Sequence, residues 1–152
     1  MNSFGTIFRV TIWGESHGAS VGVSVDGVPA GIALSAEDFA VDLARRASGR
    51  RGTTPRHEAD QPQVVSGVYE GRTTGAPLTV LFENANTRSG DYSNLVRQPR
   101  PSHADLVAQR KFDGCNDPRG GGHFSGRLTL GLVAAGVVAK RVIESNELTF
   151  TT

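Results

Sequence analysis

The sequence is poor in several residue types on which particular classes of protein depend. Its 152 residues contain one cysteine, one methionine and one tryptophan. Cys115 cannot form an intrachain disulfide, and nothing near it has the ligand spacing of a zinc site. A disulfide-stapled scaffold is therefore excluded, and we expect no metal site.

Long apolar runs and a large net charge are also lacking. No uncharged apolar stretch approaches the length of a membrane span, and the N-terminus lacks the basic-then-apolar layout of a signal peptide. Sixteen basic and fifteen acidic residues give a net charge of +1, without a global signature for nucleic acid or membrane. We therefore expect a cytoplasmic protein.

Apolar patterning predicts an α+β fold in one domain over residues 1–152. Strands are expected at four segments, namely 8–13, 21–25, 63–68 and 78–82. Helices are expected at three, namely one capped by Ser35 and ending near Gly49, one over 104–112 and a buried one over 125–145. Residues 84–101 are expected to form a long loop that is either functional or mobile, and 147–152 to begin another strand.

Two short segments contain ionisable and polar side chains that folding alone does not require. Residues 14–18 (GESHG) place a carboxylate, a hydroxyl and an imidazole on a turn after a predicted strand. Residues 119–127 (RGGGHFSGR) form a glycine-rich loop before the long helix, where free N–H groups and the helix dipole favour an anion. Together they indicate an enzyme site for phosphorylated ligands.

The four histidines all lie in or beside the motif segments. His17 and His103 are candidates for proton transfer because imidazole titrates near neutral pH. A structural role, as a satisfied turn residue for His17 or a helix cap for His103, is the alternative. His57 is expected to be a solvated loop residue.

Five arginines and no lysine cluster within residues 45–56. Planar guanidinium groups favour bidentate recognition of anions. A solvated helix end is the alternative. An RNA-binding surface is less favoured, because no aromatic residue for base stacking is interleaved.

The same segments resemble the chorismate synthase family. Residues 14–18 with 25–29 (VDGVP) are similar to its first signature, and 100–105 (RPSHAD) to its central histidine motif. Residues 120–129 (GGGHFSGRLT) resemble its flavin-binding loop, and 133–136 (VAAG) the helix after it. Most members have Arg-Ser-Ser-Ala-Arg at 123–127, of which this chain keeps the second serine and the final arginine.

The resemblance implies antiparallel strands packed with helices in a β-α-β sandwich. It implies that residues 1–152 are the N-terminal part of one domain, lacking a C-terminal part that supplies a catalytic aspartate and further flavin contacts. The implied reaction is 1,4-elimination of phosphate from 5-enolpyruvylshikimate 3-phosphate to give chorismate. This reaction requires reduced FMN, for which NADPH is a candidate reductant. The resemblance further implies that the complete enzyme is a homotetramer. The alternative is a non-catalytic anion- or flavin-binding fragment.

The resemblance also assigns roles to residues of this chain. It implies that His17 and His103 are catalytic. The implied substrate ligands are Ser16, Arg46, Arg51, Arg100 and Arg127. The implied FMN ligands are His123, Phe124, Ser125, Arg46 and Arg51.

Overall fold

A computed structural model describes residues 2–48, 56–87 and 94–146. These described ranges contain seven strands, namely β1 (Ser3–Phe4), β2 (Arg9–Gly14), β3 (Ser20–Asp26), β4 (Gln63–Ser66), β5 (Val68–Tyr69), β6 (Arg72–Thr73) and β7 (Leu78–Glu83). Five of them form an antiparallel sheet in the order β1-β2-β3-β7-β4, while β5 and β6 form a separate ribbon. The α-helices are α1 (Ala40–Arg46), α2 (Asp105–Lys111) and α3 (Thr129–Glu144). The predicted α+β class is confirmed, and the described residues form a sheet layer and a helical layer.

The core lies between the sheet and α3. Side chains alternate across a strand, so every second residue of β3 and β7 faces the core. These residues pair across the two strands as Val21 with Phe82, Val23 with Val80 and Val25 with Leu78, and none is exposed. Burying one such side chain contributes about 1.5–3 kcal/mol, so this contact fixes α3 on the sheet.

A glycine allows α3 to approach the sheet closely, because a Cβ at Gly131 would lie 3.0 Å from the carbonyl oxygen of Gly22. On the opposite face of the sheet, Gly22 leaves room for Trp13, since a Cβ there would lie 2.3 Å from the indole. Because α3 is fixed in this way, the loop that precedes it reaches the end of β2. The two motif segments of the sequence therefore meet at one edge of the fold.

The main differences from the expected elements have local causes. The strand expected at residues 63–68 ends at Ser66, because Gly67 turns the chain with φ +84°. The helix expected after Ser35 begins as a 3-10 turn, Ala36–Phe39, where the Ser35 N–H donates to Asp38 Oδ2 at 2.7 Å. The long helix likewise begins with a 3-10 turn, Gly126–Leu128. The expected helix stop at Gly49 and the strand at 147–152 lie outside the described residues.

Candidate functional site

The two motif loops are joined by hydrogen bonds between their backbones and side chains. The Ser16 N–H donates to the Gly122 carbonyl at 3.1 Å. His123 Nδ1 donates to the Gly14 carbonyl at 2.9 Å. The glycine-rich loop thus packs on the turn that carries Ser16 and His17.

Glycines 120 and 121 hold the two candidate histidines. Their φ angles are +59° and +85°, a region that favours glycine. A Cβ at Gly120 would lie 2.7 Å from His17 Nε2, and a Cβ at Gly121 would lie 2.9 Å from His103 Cε1. The loop backbone therefore contacts both imidazoles so closely that a side chain at either glycine would clash with a histidine ring. His17 is only 7% exposed.

Replacing Gly121 by alanine should lower the free energy of unfolding by more than its φ angle alone explains. A strained left-handed residue costs on the order of 1–3 kcal/mol, and the new Cβ would also collide with His103. Gly114→Ala is the matched control, because Gly114 has φ +74° and no atom within 4 Å of an added Cβ. Urea unfolding should give the larger loss for Gly121→Ala, and equal losses would contradict the contact.

A cavity of about 540 Å³ opens beside the two loops. Its lining includes four arginines, Arg46, Arg56, Arg100 and Arg127, with Ser16, His103 and Ser125 among its other residues. Two carboxylates, Glu58 and Asp60, also line it. Three of the four predicted arginines, drawn from distant segments, thus share one concave surface, whereas Arg51 lies outside the described residues.

Arg127 is held in a largely buried network and is 8% exposed. Its Nη1 pairs with Asp60 Oδ1 at 2.5 Å, and its Nε donates to Asn84 Oδ1 at 2.7 Å. Arg46 Nη1 reaches the other oxygen of Asp60 at 3.4 Å. Burial lowers the pKa of Arg46, and the nearby Arg127 lowers it further against the opposing effect of Asp60. Asp60 is therefore the internal counterion of two arginines.

Arg56 positions Ser16. Arg56 Nη1 donates to both the hydroxyl and the carbonyl of Ser16, each at 3.0 Å. Its other amino group donates to Glu58 Oε1 at 2.6 Å. Burial raises the pKa of Glu58, but hydrogen bonds from Arg56 and from two backbone N–H groups outweigh it, and the pKa lies below its ordinary value. The Ser16 hydroxyl thus lies beside a guanidinium at the cavity wall.

His103 lies between a carboxylate and a guanidinium. Asp105 Oδ1 is 2.6 Å from His103 Nδ1. Arg100 holds the same carboxylate with Nε–Oδ2 and Nη2–Oδ1 distances of 2.8 and 2.9 Å. The hydrogen bonds from Arg100 keep the pKa of Asp105 well below its usual range.

The three predicted FMN ligands of the glycine-rich loop face different surroundings. Ser125 lines the arginine cavity and its hydroxyl accepts from the Arg127 N–H at 3.3 Å. His123 and Phe124 instead line a neighbouring cavity of about 420 Å³, together with Phe112 and Cys115. The described structure therefore brings Ser125, but not His123 or Phe124, together with the arginines.

Sequence reasoning did not single out Glu58, Asp60 or Asn84 as site residues. The sequence places Glu58 two residues after Arg56, which is a weak signal for an ion pair. Nothing local indicated that Asp60 would bridge Arg46 and Arg127. His57, expected to be solvated, is exposed.

Residues 2–48, 56–87 and 94–146 contain neither a membrane-spanning helix nor a metal-binding cluster. None of the helices there has the length and apolar character needed to cross a membrane. The same ranges contain no group of three or more His, Cys, Asp or Glu side chains arranged to hold a metal ion.

Comparison with known proteins gives a consistent result. A family model described as chorismate synthase matches residues 8–152. The chorismate synthase of Chitinophaga pinensis is 64% identical over 143 residues, which are 94% of this chain and 43% of that protein. That of Xanthomonas euvesicatoria pv. vesicatoria is 55% identical over 141 residues, which are 92% of this chain and 38% of that protein.

A solved structure shows the same fold. The chain is similar to a crystal structure of a chorismate synthase with a TM-score of 0.61 and 24% sequence identity, over 95% of this chain and 36% of that one. This chain thus spans 43% and 38% of the lengths of the two curated relatives. By its sequence and by the matched residues 8–152, it belongs to the chorismate synthase family.

Proposed function

We propose that the protein acts in chorismate synthesis, eliminating phosphate and a ring proton from 5-enolpyruvylshikimate 3-phosphate. The observation that supports this most is the convergence of Arg46, Arg100 and Arg127 with Ser16 and His103 on one cavity. This substrate carries a phosphate and two carboxylates, so several guanidinium groups are needed to bind it.

The charges of the cavity suit such a ligand. Its lining holds four arginines against two carboxylates, and Asp105 pairs with Arg100 from α2. The remaining positive charge favours an anion in a partly dry site, where electrostatic attraction is stronger than in water. We propose Ser16, Arg46, Arg51, Arg100 and Arg127 as the substrate ligands.

Loss of phosphate requires that its developing negative charge be neutralised or protonated. His17 is the proposed proton donor, because it lies beside Ser16 under the backbone of Gly120. The Ser16 hydroxyl, which accepts from Arg56, is placed to orient a phosphate oxygen. The arginines stabilise the departing anion.

The donor set of the cavity also fits FMN. The volume lies within the range of about 300–1,000 Å³ typical of ligand sites, and guanidinium groups suit a flavin phosphate. We propose that Arg46 and Ser125 of this cavity hold the cofactor together with Arg51, and with His123 and Phe124 of the neighbouring cavity. Reduced FMN, when bound, supplies electron density that assists cleavage of the phosphate ester. His103 is proposed to keep the reduced flavin in its working protonation state.

Further properties follow from the same proposal. We propose that NADPH is a candidate source of the reducing electrons, that the complete enzyme is a homotetramer and that it works in the cytoplasm.

The test uses a hybrid enzyme, defined here as this chain continued by the part of the Chitinophaga pinensis protein that follows the matched segment. With reduced FMN under anaerobic conditions, the hybrid enzyme should convert 5-enolpyruvylshikimate 3-phosphate to chorismate, measured by absorbance. The 152-residue chain alone should give no product, since it spans 43% of that relative.

The intact Chitinophaga protein serves as the positive control. A folded hybrid enzyme that shifts the FMN absorbance without forming chorismate would contradict the proposed function. That result would favour the non-catalytic anion- or flavin-binding alternative.

A further inference from the structure

We propose that Asp105 is a positioning residue that holds His103 in the tautomer with its proton on Nδ1. The lone pair is then on Nε2, the ring nitrogen next to Gly121. The tautomer follows from the hydrogen bonds of this chain alone, whereas its importance for turnover rests on the proposed function.

The Asp105 carboxylate is buried against the imidazole of His103. Asp105 is 9% exposed and its Oδ1 is 2.6 Å from His103 Nδ1. A carboxylate is only an acceptor, so the short contact requires a proton on Nδ1. Arg100 keeps the pKa of Asp105 well below its ordinary value, so the acceptor is ionised at neutral pH.

Hydrogen bonds from Arg100 fix the position of Asp105. Its Oδ2 accepts from the Arg100 backbone N–H at 3.0 Å and from Arg100 Nε at 2.8 Å. Its Oδ1 accepts from Arg100 Nη2 at 2.9 Å. Three bonds from one residue prevent the carboxylate from rotating away from the imidazole.

Arg100 also contacts the imidazole of His103. Its Nη2 lies 3.2 Å from both Nδ1 and Nε2. A guanidinium can only donate, so it needs a ring nitrogen with a lone pair, and its equal distances do not distinguish the two nitrogens. Because the contact with Asp105 requires the proton on Nδ1, the lone pair that Arg100 faces is on Nε2.

Asp105→Asn should reverse this tautomer. If the new NH2 group took the position of Oδ2, it would face two Arg100 donors, neither of which can accept a hydrogen bond. In the position of Oδ1, the NH2 group faces Arg100 Nη2 and His103 Nδ1. Of these, Nδ1 can accept once the imidazole proton has moved to Nε2. We therefore expect the amide nitrogen to face His103 and the proton to be on Nε2.

The measurement is the two-bond ¹H–¹⁵N correlation spectrum of the imidazole rings, recorded on the protein with labelled histidine at neutral pH. His103 should show the Nδ1–H pattern in the original protein and the Nε2–H pattern in Asp105→Asn. Asp42→Asn is the control, because Asp42 pairs with Lys140 between α1 and α3 and should leave His103 unchanged.

An Nε2–H or doubly protonated His103 in the original protein would overturn the proposal, as would an unchanged tautomer in Asp105→Asn. In the hybrid enzyme, Asp105→Asn should lower kcat by about 10–100-fold, the range found for carboxylates that orient metal-binding histidines. A switched tautomer with unchanged kcat would overturn the positioning role. Absence of turnover in the unsubstituted hybrid enzyme would instead count against the proposed function and leave the tautomer result standing.

Discussion

Replacing His17 by alanine in the hybrid enzyme should lower turnover by about 10²–10⁴-fold, the usual contribution of a general acid or base. His17 is the buried histidine of the first motif loop, and Gly120 packs against its ring. Alanine removes the proposed proton donor while leaving the backbone contacts of the loop intact. His103→Ala should cause a loss in the same range, because it removes the second proposed proton carrier.

His57→Ala is the matched control for these two variants. His57 is exposed, so its replacement should leave turnover unchanged. Urea unfolding of each variant shows whether the fold is retained. A loss of less than about fivefold in a folded His17→Ala enzyme falls well below the range for acid–base groups and would assign that histidine a structural role.

Replacing Arg127 by methionine should destabilise the protein by about 3–5 kcal/mol, the usual cost of removing one partner of a buried ion pair. Methionine keeps much of the apolar volume, so the main loss is the charge that Asp60 faces at 2.5 Å. Arg46 is 3.4 Å from Asp60 and compensates only in part. The free energy of unfolding in urea measures the effect.

Arg45→Met is the matched control, because Arg45 is mostly exposed and pairs with Asp42 at 3.9 Å. An exposed pair contributes at most about 1 kcal/mol. Adding Asp60→Asn to Arg127→Met should recover part of the loss, since no uncompensated carboxylate then remains. Equal losses for Arg45→Met and Arg127→Met would show that the Arg127 network contributes little to stability.

The strands could be predicted because their burial follows a simple alternation. In β7, Leu78, Val80 and Phe82 are buried while the residues between them are more exposed, as expected for a sheet covered on one face. The pairing of β3 with β7 could not be predicted in the same way. It joins segments more than fifty residues apart, and local periodicity contains no information on such partners.

The candidate site was predicted only in part, for a related reason. His17, His103 and Ser16 stand in glycine- or proline-flanked motifs that local chemistry explains. Asp60 has no such context, and its role appears only when Arg46 and Arg127 converge on it. Which carboxylate pairs with a buried arginine depends on the tertiary structure. The residues next to Asp60 in the sequence do not indicate that pairing.

The difference between Ser125 and its two predecessors has a comparable origin. The sequence places His123, Phe124 and Ser125 side by side in one loop. The left-handed glycines before them turn the backbone, so His123 bonds to Gly14 and Phe124 faces another cavity. Their proposed role toward FMN therefore needs a separate test from that of Ser125.

The most direct test of the shared anion site is a crystal structure of the hybrid enzyme with FMN and 5-enolpyruvylshikimate 3-phosphate. We expect anionic oxygens of these ligands within hydrogen-bond distance of Arg46, Arg100 and Arg127. We also expect the ester phosphate beside Ser16 and His17. Ligands bound elsewhere, with the three arginines contacting only Asp60, Asp105 and other protein groups, would contradict the account.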